Sequence, residues 1–307
     1  MIEVFGVDWF LAGLHLSIPL IFAALGGLLS ERAGVINIAL EGMMLFGAFT
    51  GVAVTWWLGQ NGVGLVAAVA VGALLGGVHA WFAVSLRANQ IVAATAINLV
   101  AVGVTAAMIP VIWGAPGASA GVGRVHPPDL GFLEDIPLLG RVLSDLTLVD
   151  WVALLLAPVV WVVLYQTAFG LRLRSCGESP EAAASVGVDV IRMRYTAVMA
   201  SGALAALGGA YLSLVEVGVF QRGMTAGRGF LALAAMIFGK WRPIPVLGAC
   251  LMFGLADAYQ FRAQTLGVDL PTELLLALPY LVALAALATF VGRASAPAAI
   301  GRPYVKE

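Results

Sequence analysis

Charged residues are scarce in this chain: Asp, Glu, Lys and Arg make up 11% of its 307 residues, whereas 61% are hydrophobic. Soluble domains carry about 25% charged residues. So few charges cannot cover a water-exposed surface, and several apolar runs exceed the ~20 residues that a helix needs to cross a bilayer. The sequence therefore predicts an all-α polytopic membrane protein.

Basic stripes, cysteine frameworks and metal-ligand clusters are also missing. The net charge of −1 leaves no basic surface for nucleic acid. The two cysteines, Cys176 and Cys250, fall in a polar loop and an apolar run and predict no disulfide framework. His79 has no His or Cys companions at ligand spacing, so we expect an interior histidine and no metal site.

Enzyme motifs are incomplete. The Gly-Lys pair at 239–240 has Ala234 where a phosphate-binding loop needs glycine, and no Ser or Thr follows it, so the chain is not predicted to hydrolyse ATP itself. Residues 117–121 match the nucleophile motif G-x-S-x-G, with Ser119 at its centre and His126 nearby. Because no strand precedes this match and no helix follows, a flexible loop is favoured over an intramembrane hydrolase.

Nine apolar segments are predicted to cross or enter the membrane. Lys and Arg favour cytoplasmic loops. With the N-terminus outside, 11 of the 16 basic residues fall on the cytoplasmic side, which predicts an external N-terminus and a cytoplasmic C-terminus. The nine segments are residues 9–29, 36–58, 64–86, 91–113, 149–166, 194–216, 229–239, 245–262 and 273–291.

The segment 229–239 is too short for a full crossing, because it covers only ~16 Å of helix. We expect the glycine-rich run Gly218–Gly229 to enter the membrane as irregular backbone before the short helix completes the span. A short, tilted helix is the alternative. Small residues at four-residue spacing, such as Gly72 and Gly76, predict close helix contacts.

The whole chain, residues 1–307, is expected to form one transmembrane domain. Residues 114–148 are predicted to be an external loop, residues 167–193 a cytoplasmic loop and residues 292–307 a short, mobile cytoplasmic tail.

Few polar side chains lie within the apolar segments, and each is costly there unless it faces protein or water. Asn37 and Glu41 are four residues apart, which predicts that they share a helix face about 6 Å apart. Asn98 and Asp257 lie in other apolar segments. These four residues are predicted to line a pathway for a polar solute. Interhelical hydrogen bonds that lock the bundle are the alternative for Glu41 and Asn98.

One long polar interruption of the apolar pattern reads as a structured element rather than a turn, and it lies between Phe169 and Tyr211. Pro180 follows Ser179 as at a helix start, alanines continue, and Gly187 ends the pattern, which predicts a short cytoplasmic helix between basic flanks. A loop whose charges only fix the topology is the plainer alternative.

The run GESPEAAASVGVDV, residues 177–190, followed by SGALAALGGA, resembles the coupling loop of ABC import permeases of the branched-chain amino acid, ribose and nucleoside class. Residues 28–49 and 227–258 resemble the shorter permease of nucleoside-type importers that work with basic-membrane-protein-like binding lipoproteins. The resemblance extends from Leu11 to Leu287.

This resemblance implies a permease subunit that forms half of a translocation pathway in the bacterial inner membrane. It implies three partners: an ABC ATPase that binds the ATP, a sister permease and an external binding lipoprotein. Nucleosides or purines are the expected solute, with simple sugars or branched-chain amino acids as the alternative and an ion-coupled secondary transporter as a rival of another class. No cofactor of the chain's own is implied. The residues expected to couple the chain to the ATPase are Arg172, Arg174, Gly177, Glu178, Pro180, Ala182, Ala183 and Gly187.

Overall fold

The computed structural model describes residues 6–128, 139–266 and 296–305, together with a few isolated positions between 274 and 285. The regular elements in these ranges are α-helices, and no β-strand is formed by the described residues. The helices are α1 Val7–Arg32, α2 Leu40–Leu58, α3 Asn61–Ala80, α4 Gln90–Trp113, α5 Leu139–Ser144, α6 Leu148–Gln166, α7 Ala168–Glu178, α8 Pro180–Ser185, α9 Val190–Tyr211, α10 Arg228–Phe238 and α11 Pro243–Thr265.

Six helices of the described ranges are long and apolar enough to cross a membrane: α1, α3, α4, α6, α9 and α11. Single π-helical segments extend α3 through Ser85 and α9 through Val217. Helices coincide with eight of the nine predicted segments, but α10 has only 11 residues and segment 273–291 lies largely outside the described residues. An all-α membrane architecture is confirmed, whereas nine spans and the orientation of the termini stay predictions.

The centre of the bundle is formed by α1, α2 and α9. Helix α1 packs on α9 and α11, and α9 packs on α2 and α3. Side chains such as Ile18 and Phe22 on α1 are fully buried. Leu99 on α4 and Leu155 on α6 are more than half exposed, as lipid-facing side chains are.

Small residues allow these helices to approach closely. A Cβ atom placed on Gly72 of α3 would collide with the carbonyl oxygen of Gly202 on α9, and a Cβ on Gly202 would collide with that of Gly72. Packing at this distance is the main source of helix association in lipid. The prediction that four-residue glycine spacing marks helix contacts is confirmed at this crossing.

Two irregular segments interrupt the bundle, one at residues 33–39 between α1 and α2 and the other at residues 218–227 before α10. The second has positive φ angles at Gly218, Gly223 and Gly227, so the predicted irregular backbone ahead of the short helix is confirmed, whereas its entry into the membrane stays a prediction. Asn37 lies in the first segment, before α2 begins at Leu40. The prediction that it shares a helix face with Glu41 is therefore wrong.

Before α9 begins at Val190, the polar interruption forms two helices, α7 and α8, rather than one. Helix α8 begins at Pro180 as predicted, and Gly187, with a φ of +86°, follows its end. Helix α7 was not predicted, because its apolar side chains are few and separated by arginines. Thr167 caps α7 by accepting a hydrogen bond from the Gly170 amide.

The described part of the C-terminal tail, residues 296–305, packs against the bundle. The amide of Ala299 donates to the carbonyl of Gly177 (2.9 Å), and the amide of Gly301 donates to that of Gly34 (3.0 Å). Tyr304 is buried with Cys176 and Ala183. The expectation of a mobile tail is wrong for these residues, because their backbone amides find partners on two other segments.

Candidate functional site

Helix α8 presents one face to solvent and packs the other on the protein. Pro180 and Ala183 are buried, and Ala183 contacts Cys176 and Val190. Ala182 is exposed, and Val186, just after the helix, is 79% exposed. Of the two alanines expected to couple to an ATPase, only Ala182 is available to a partner. Sequence reasoning missed Val186, although a valine in a polar loop was a usable signal.

Three segments pack against the buried side of α7 and α8 and hold them in place. Gly177 lies so close to the carbonyl oxygen of Arg32 that a Cβ atom there would collide with it. Arg194, fully buried in α9, donates from Nε to the carbonyl of Ala33 (3.2 Å) and from Nη1 to that of Arg302 (3.0 Å). The end of α1, the start of α9 and the tail therefore form one support for the exposed face.

Glu178 joins this support and does not cap α8. Its Oε2 accepts a hydrogen bond from the Ala298 amide (3.1 Å), and its Oε1 lies 3.8 Å from Nη1 of Arg32. Ser179 occupies the N-cap position of α8 without a side-chain hydrogen bond. Glu178 is thus a contact between α1, α7 and the tail, with more than half of its side chain still exposed.

The two arginines of α7 differ in their surroundings. Arg174 donates from Nε to the carbonyl of Leu164 (2.9 Å), and its guanidinium lies 4.6 Å from the ring centre of Tyr165, in a cation–π contact. Arg172 is exposed. Arg174 consequently ties α7 to the end of α6, and Arg172 faces solvent beside the exposed side of α8.

Glu41, in the first turn of α2, contacts the second irregular segment and the start of α10. Its Oε1 accepts hydrogen bonds from Oγ1 of Thr225 (2.6 Å) and the amide of Gly227 (2.8 Å), and its Oε2 accepts from the amide of Gly229 (2.6 Å). The first amides of a helix have no partner within the helix and carry partial positive charge. The carboxylate therefore caps α10 from another helix.

Asn98 and Asn37 stabilise the first irregular segment. Asn98 on α4 accepts from the amide of Gly42 (2.8 Å) and donates to the carbonyl of Ile38 (3.0 Å). Asn37 is fully buried and donates to Oγ of Ser201 on α9 (2.9 Å). Both carboxamides are thus engaged in contacts that hold the α1–α2 connection, and a role of either residue in solute passage stays a prediction.

The backbone of Ile36 in this segment depends on two side chains that the sequence did not single out as partners. Its amide donates to Oε1 of Gln90 (2.8 Å), and its carbonyl lies 2.8 Å from Nε2 of His79. His79 is fully buried in α3, as expected of an interior histidine. Only the fold brings these distant residues together, so no sequence spacing predicted them.

Asp257 on α11 is separate from the other three predicted pathway residues. It is half-buried, and it interacts electrostatically with Arg228, the first residue of α10. Arg228 donates from Nη1 towards the carbonyls of Met224 and Thr225. The structure therefore places Asp257 beside the second irregular segment, whereas Asn37 and Asn98 contact the first.

A cavity of about 450 Å³ opens at the end of the bundle opposite α8, since His15 in its wall lies about 25 Å along α1 from Arg32. Its volume falls within the range of small-molecule pockets. Polar side chains line much of it: His15, Arg124, His126, Asp145, Thr147 and Glu216.

Beneath this cavity runs a network of polar groups, in which Asp150 and Tyr211 are fully buried and Asp145 is exposed. The hydroxyl of Tyr211 donates to Oδ1 of Asp150 (2.6 Å) and lies 3.0 Å from Nδ1 of His15. Nε2 of His15 lies 3.3 Å from Oδ2 of Asp145. Asp150 also caps α6 in a reciprocal pair with Thr147. The network joins α1, α6 and α9 and fixes the cavity wall, and sequence reasoning missed it.

The serine of the G-x-S-x-G match is not engaged with His126. Its hydroxyl donates to the carbonyl of Ala120 (2.8 Å) and accepts from the amide of Phe220 (2.9 Å). The backbone amide of Ser119 also donates to the carbonyl of Phe220 (2.8 Å). The motif therefore pairs the loop after α4 with the second irregular segment.

Comparisons with known proteins give the chain its family. Residues 9–287 match the family model described as the permease component of the branched-chain amino acid transport system. The chain is 43% identical over 298 residues to the guanosine ABC transporter permease protein NupQ of Bacillus subtilis, covering 94% of this chain and 93% of that protein. No solved structure gives a significant match.

Two further relatives are named for different substrates. The nucleoside ABC transporter permease protein NupC of Lactococcus lactis is 37% identical over 94% of both chains. The putative glucose ABC transporter permease protein TsgC13 of Haloferax volcanii is 40% identical over 82% of this chain and 76% of that protein. The chain therefore belongs to the permease-component family of branched-chain amino acid transport systems, as a permease subunit of an ABC transporter.

Proposed function

We propose that this subunit moves nucleosides, with purine nucleosides foremost, inward across the bacterial cytoplasmic membrane. The observation that carries the proposal is the 43% identity to a guanosine permease over almost the full length of both chains. The polar cavity of about 450 Å³ supports it, because hydroxyl and base N–H groups need acceptors such as the Glu216 carboxylate.

The proposal includes a source of energy outside the chain. A separate ABC ATPase would bind ATP and dock on the exposed face of α8, where Ala182 and Val186 are available. A sister permease would complete the pathway, and an external binding lipoprotein would deliver the solute and supply most of the specificity. The chain itself would need no cofactor. Nine crossings, an external N-terminus and a cytoplasmic C-terminus belong to the same proposal.

Transport requires that the partners stabilise two states differently, because an equilibrium shifts only by the difference in their contacts. The contacts that support α8 would transmit a displacement of the ATPase to the bundle, through the end of α1 and the start of α9. From there α1 leads to the cavity wall at His15, and the irregular segments lie between the two ends. Asn37, Glu41, Asn98 and Asp257 keep their proposed place along the pathway. The first three would stabilise its irregular backbone, and Asp257 would interact with Arg228.

Competition for uptake tests the proposed solute. Cells that carry the transporter would be given labelled guanosine with an excess of unlabelled inosine, glucose or leucine. Inhibition by inosine alone supports a nucleoside permease. Inhibition by glucose would favour the second candidate, a sugar permease, which the 40% identity to TsgC13 supports. Inhibition by leucine would assign the chain to amino acid transport and contradict the proposal.

A further inference from the structure

A second cavity, of about 740 Å³, lies near the α8 end of the bundle and takes no part in the proposed solute pathway. The residues that line it are Arg32 from the end of α1, Trp161 and Tyr165 from α6, Lys240 and Arg242 from the α10–α11 turn, and Ile244 from the first turn of α11. Basic residues and aromatic rings thus meet in one concave surface. We call it the basic pocket.

Positive charge exceeds negative charge around the basic pocket. Arg174, stacked on Tyr165, and Arg242 both lie close enough to repel the guanidinium of Arg32. Glu178 lies 3.8 Å from Arg32 and offsets part of this repulsion. In the part of the chain that the structure describes, no carboxylate lies within ion-pair distance of Lys240 or Arg242. The pocket is therefore suited to an anion from outside the chain.

The turn that carries Lys240 and Arg242 is held by buried contacts. Trp241 between them is buried, its indole Nε1 donates to Oε2 of Glu31 (2.6 Å), and its carbonyl accepts from Nε and Nη2 of Arg32 (2.9 and 2.7 Å). Lys240 and Trp241 both have positive φ angles, +54° and +53°, which side chains with a Cβ atom rarely adopt. The protein thus maintains an unfavourable backbone conformation that places Lys240 and Arg242 on either side of the buried Trp241.

The surroundings of the pocket are those of a membrane–water boundary. Trp161 is 40% exposed and Ile244 is 47% exposed at its rim. Leu155 and Val159 are also exposed earlier on α6 and continue this apolar surface away from the pocket. Tryptophan and tyrosine gather at the level of lipid headgroups, and basic residues between helices bind anionic headgroups there. An acyl chain would find an apolar surface next to the cations.

We propose that the basic pocket binds the phosphate of an anionic membrane phospholipid, with Lys240, Arg242 and Arg32 as its cationic ligands and the exposed face of α6 along its acyl chains. Arginine and lysine are the side chains that pair with phosphate oxygens, arginine in a bidentate manner. The bound lipid would neutralise the repulsion around Arg32 and stabilise the turn between α10 and α11. This inference is independent of the solute.

Lipid exchange on the purified full-length chain tests the inference. Phosphatidylglycerol and phosphatidylcholine with the same acyl chains would be titrated separately, and inorganic phosphate would form a third arm. Bound lipid is counted by native mass spectrometry, and protection is followed as the shift in melting temperature. We expect phosphatidylglycerol to bind and protect, phosphatidylcholine to do neither, and free phosphate to protect only weakly because it lacks the acyl chains.

The double variant K240Q/R242Q should lower the affinity for phosphatidylglycerol about 25-fold, roughly fivefold for each cation removed near an anionic surface. The double variant R192Q/R222Q removes two exposed arginines elsewhere and should bind as the wild type does. Should K240Q/R242Q not fold, the single variant R242Q, at an exposed position, should still show the fivefold loss.

Three results would overturn the inference. The first is an unchanged phosphatidylglycerol preference in K240Q/R242Q or R242Q. The second is equal protection by free phosphate, which would make the pocket a site for a soluble anion. The third is loss of ATPase binding in K240Q/R242Q with the lipid preference intact, which would show that an acidic surface of the ATPase occupies the pocket.

Discussion

The Oε2 atom of Glu41 on α2 accepts the hydrogen bond of the Gly229 amide in the first turn of α10 at 2.6 Å. These residues are 188 positions apart, and the contact joins the first turn of α2 to the first turn of α10. A carboxylate on one helix that caps a second helix must either move together with the second helix or break its hydrogen bonds to it. Glu41 therefore connects α2 to α10, the two helices that follow the irregular segments.

Replacing Glu41 by glutamine should destabilise the chain. The amide nitrogen of glutamine cannot accept from the Thr225–Gly229 segment, and hydrogen bonds to charged groups contribute about 1.5–3 kcal/mol each. We expect the melting temperature of the detergent-purified protein to fall by about 5 °C. Glu181→Gln, at an exposed position on α8, should leave it unchanged. A Glu41→Gln variant with an unaltered melting temperature but reduced uptake would assign Glu41 to solute passage instead.

Bulk on the exposed face of α8 should block the ATPase and spare the fold. Ala182→Trp places its ring in solvent, so the variant should melt as the wild type does but fail to co-purify with the ATPase. Ala183→Trp should instead lower the melting temperature, because Ala183 is buried against Cys176. Ala120→Trp, exposed near the other end, is the control and should retain the ATPase. Retention by Ala182→Trp would remove α8 from the interface.

Glu178 should hold the tail. Glu178→Ala removes the acceptor of the Ala298 amide and the partner of Arg32, so the tail should open more often. Chymotrypsin cleavage at the buried Tyr304 reports this opening. We expect cleavage to be faster in Glu178→Ala and unchanged in Glu181→Ala. Equal rates in the two variants would show that the tail is held by its other contacts alone.

Membrane-impermeant maleimide tests the proposed orientation. Cysteine at the exposed Ala120 should react in intact cells, and cysteine at the exposed Ser179 only after the membrane is opened. Native thiols should interfere little, because both are buried and burial raises the pKa of Cys176, which lowers its thiolate fraction at neutral pH. The reverse labelling order would invert the orientation and place α8 on the side without ATP.

Local sequence patterns predicted the helices well and the contacts between them poorly. Pro180 and Gly187 marked both ends of α8 because helix starts and stops are local chemistry. Gly34, with a φ of +89°, marks the break after Arg32, but Asn37 was misplaced on a helix because its apolar neighbours Ile36 and Ile38 extend the apolar pattern of α2. Partners such as Asp150 and Tyr211, 61 residues apart, have no spacing that sequence reasoning could recognise.

Reconstitution of the complete transporter in proteoliposomes tests the central claim most directly, namely that this permease carries nucleosides under the drive of a partner ATPase at α8. Labelled guanosine uptake would be measured with and without ATP on the α8 side, in the wild type and in Ala182→Trp. We predict uptake that requires ATP and is lost in Ala182→Trp. Guanosine uptake that an ion gradient drives without ATP, or that Ala182→Trp performs normally, would contradict the account.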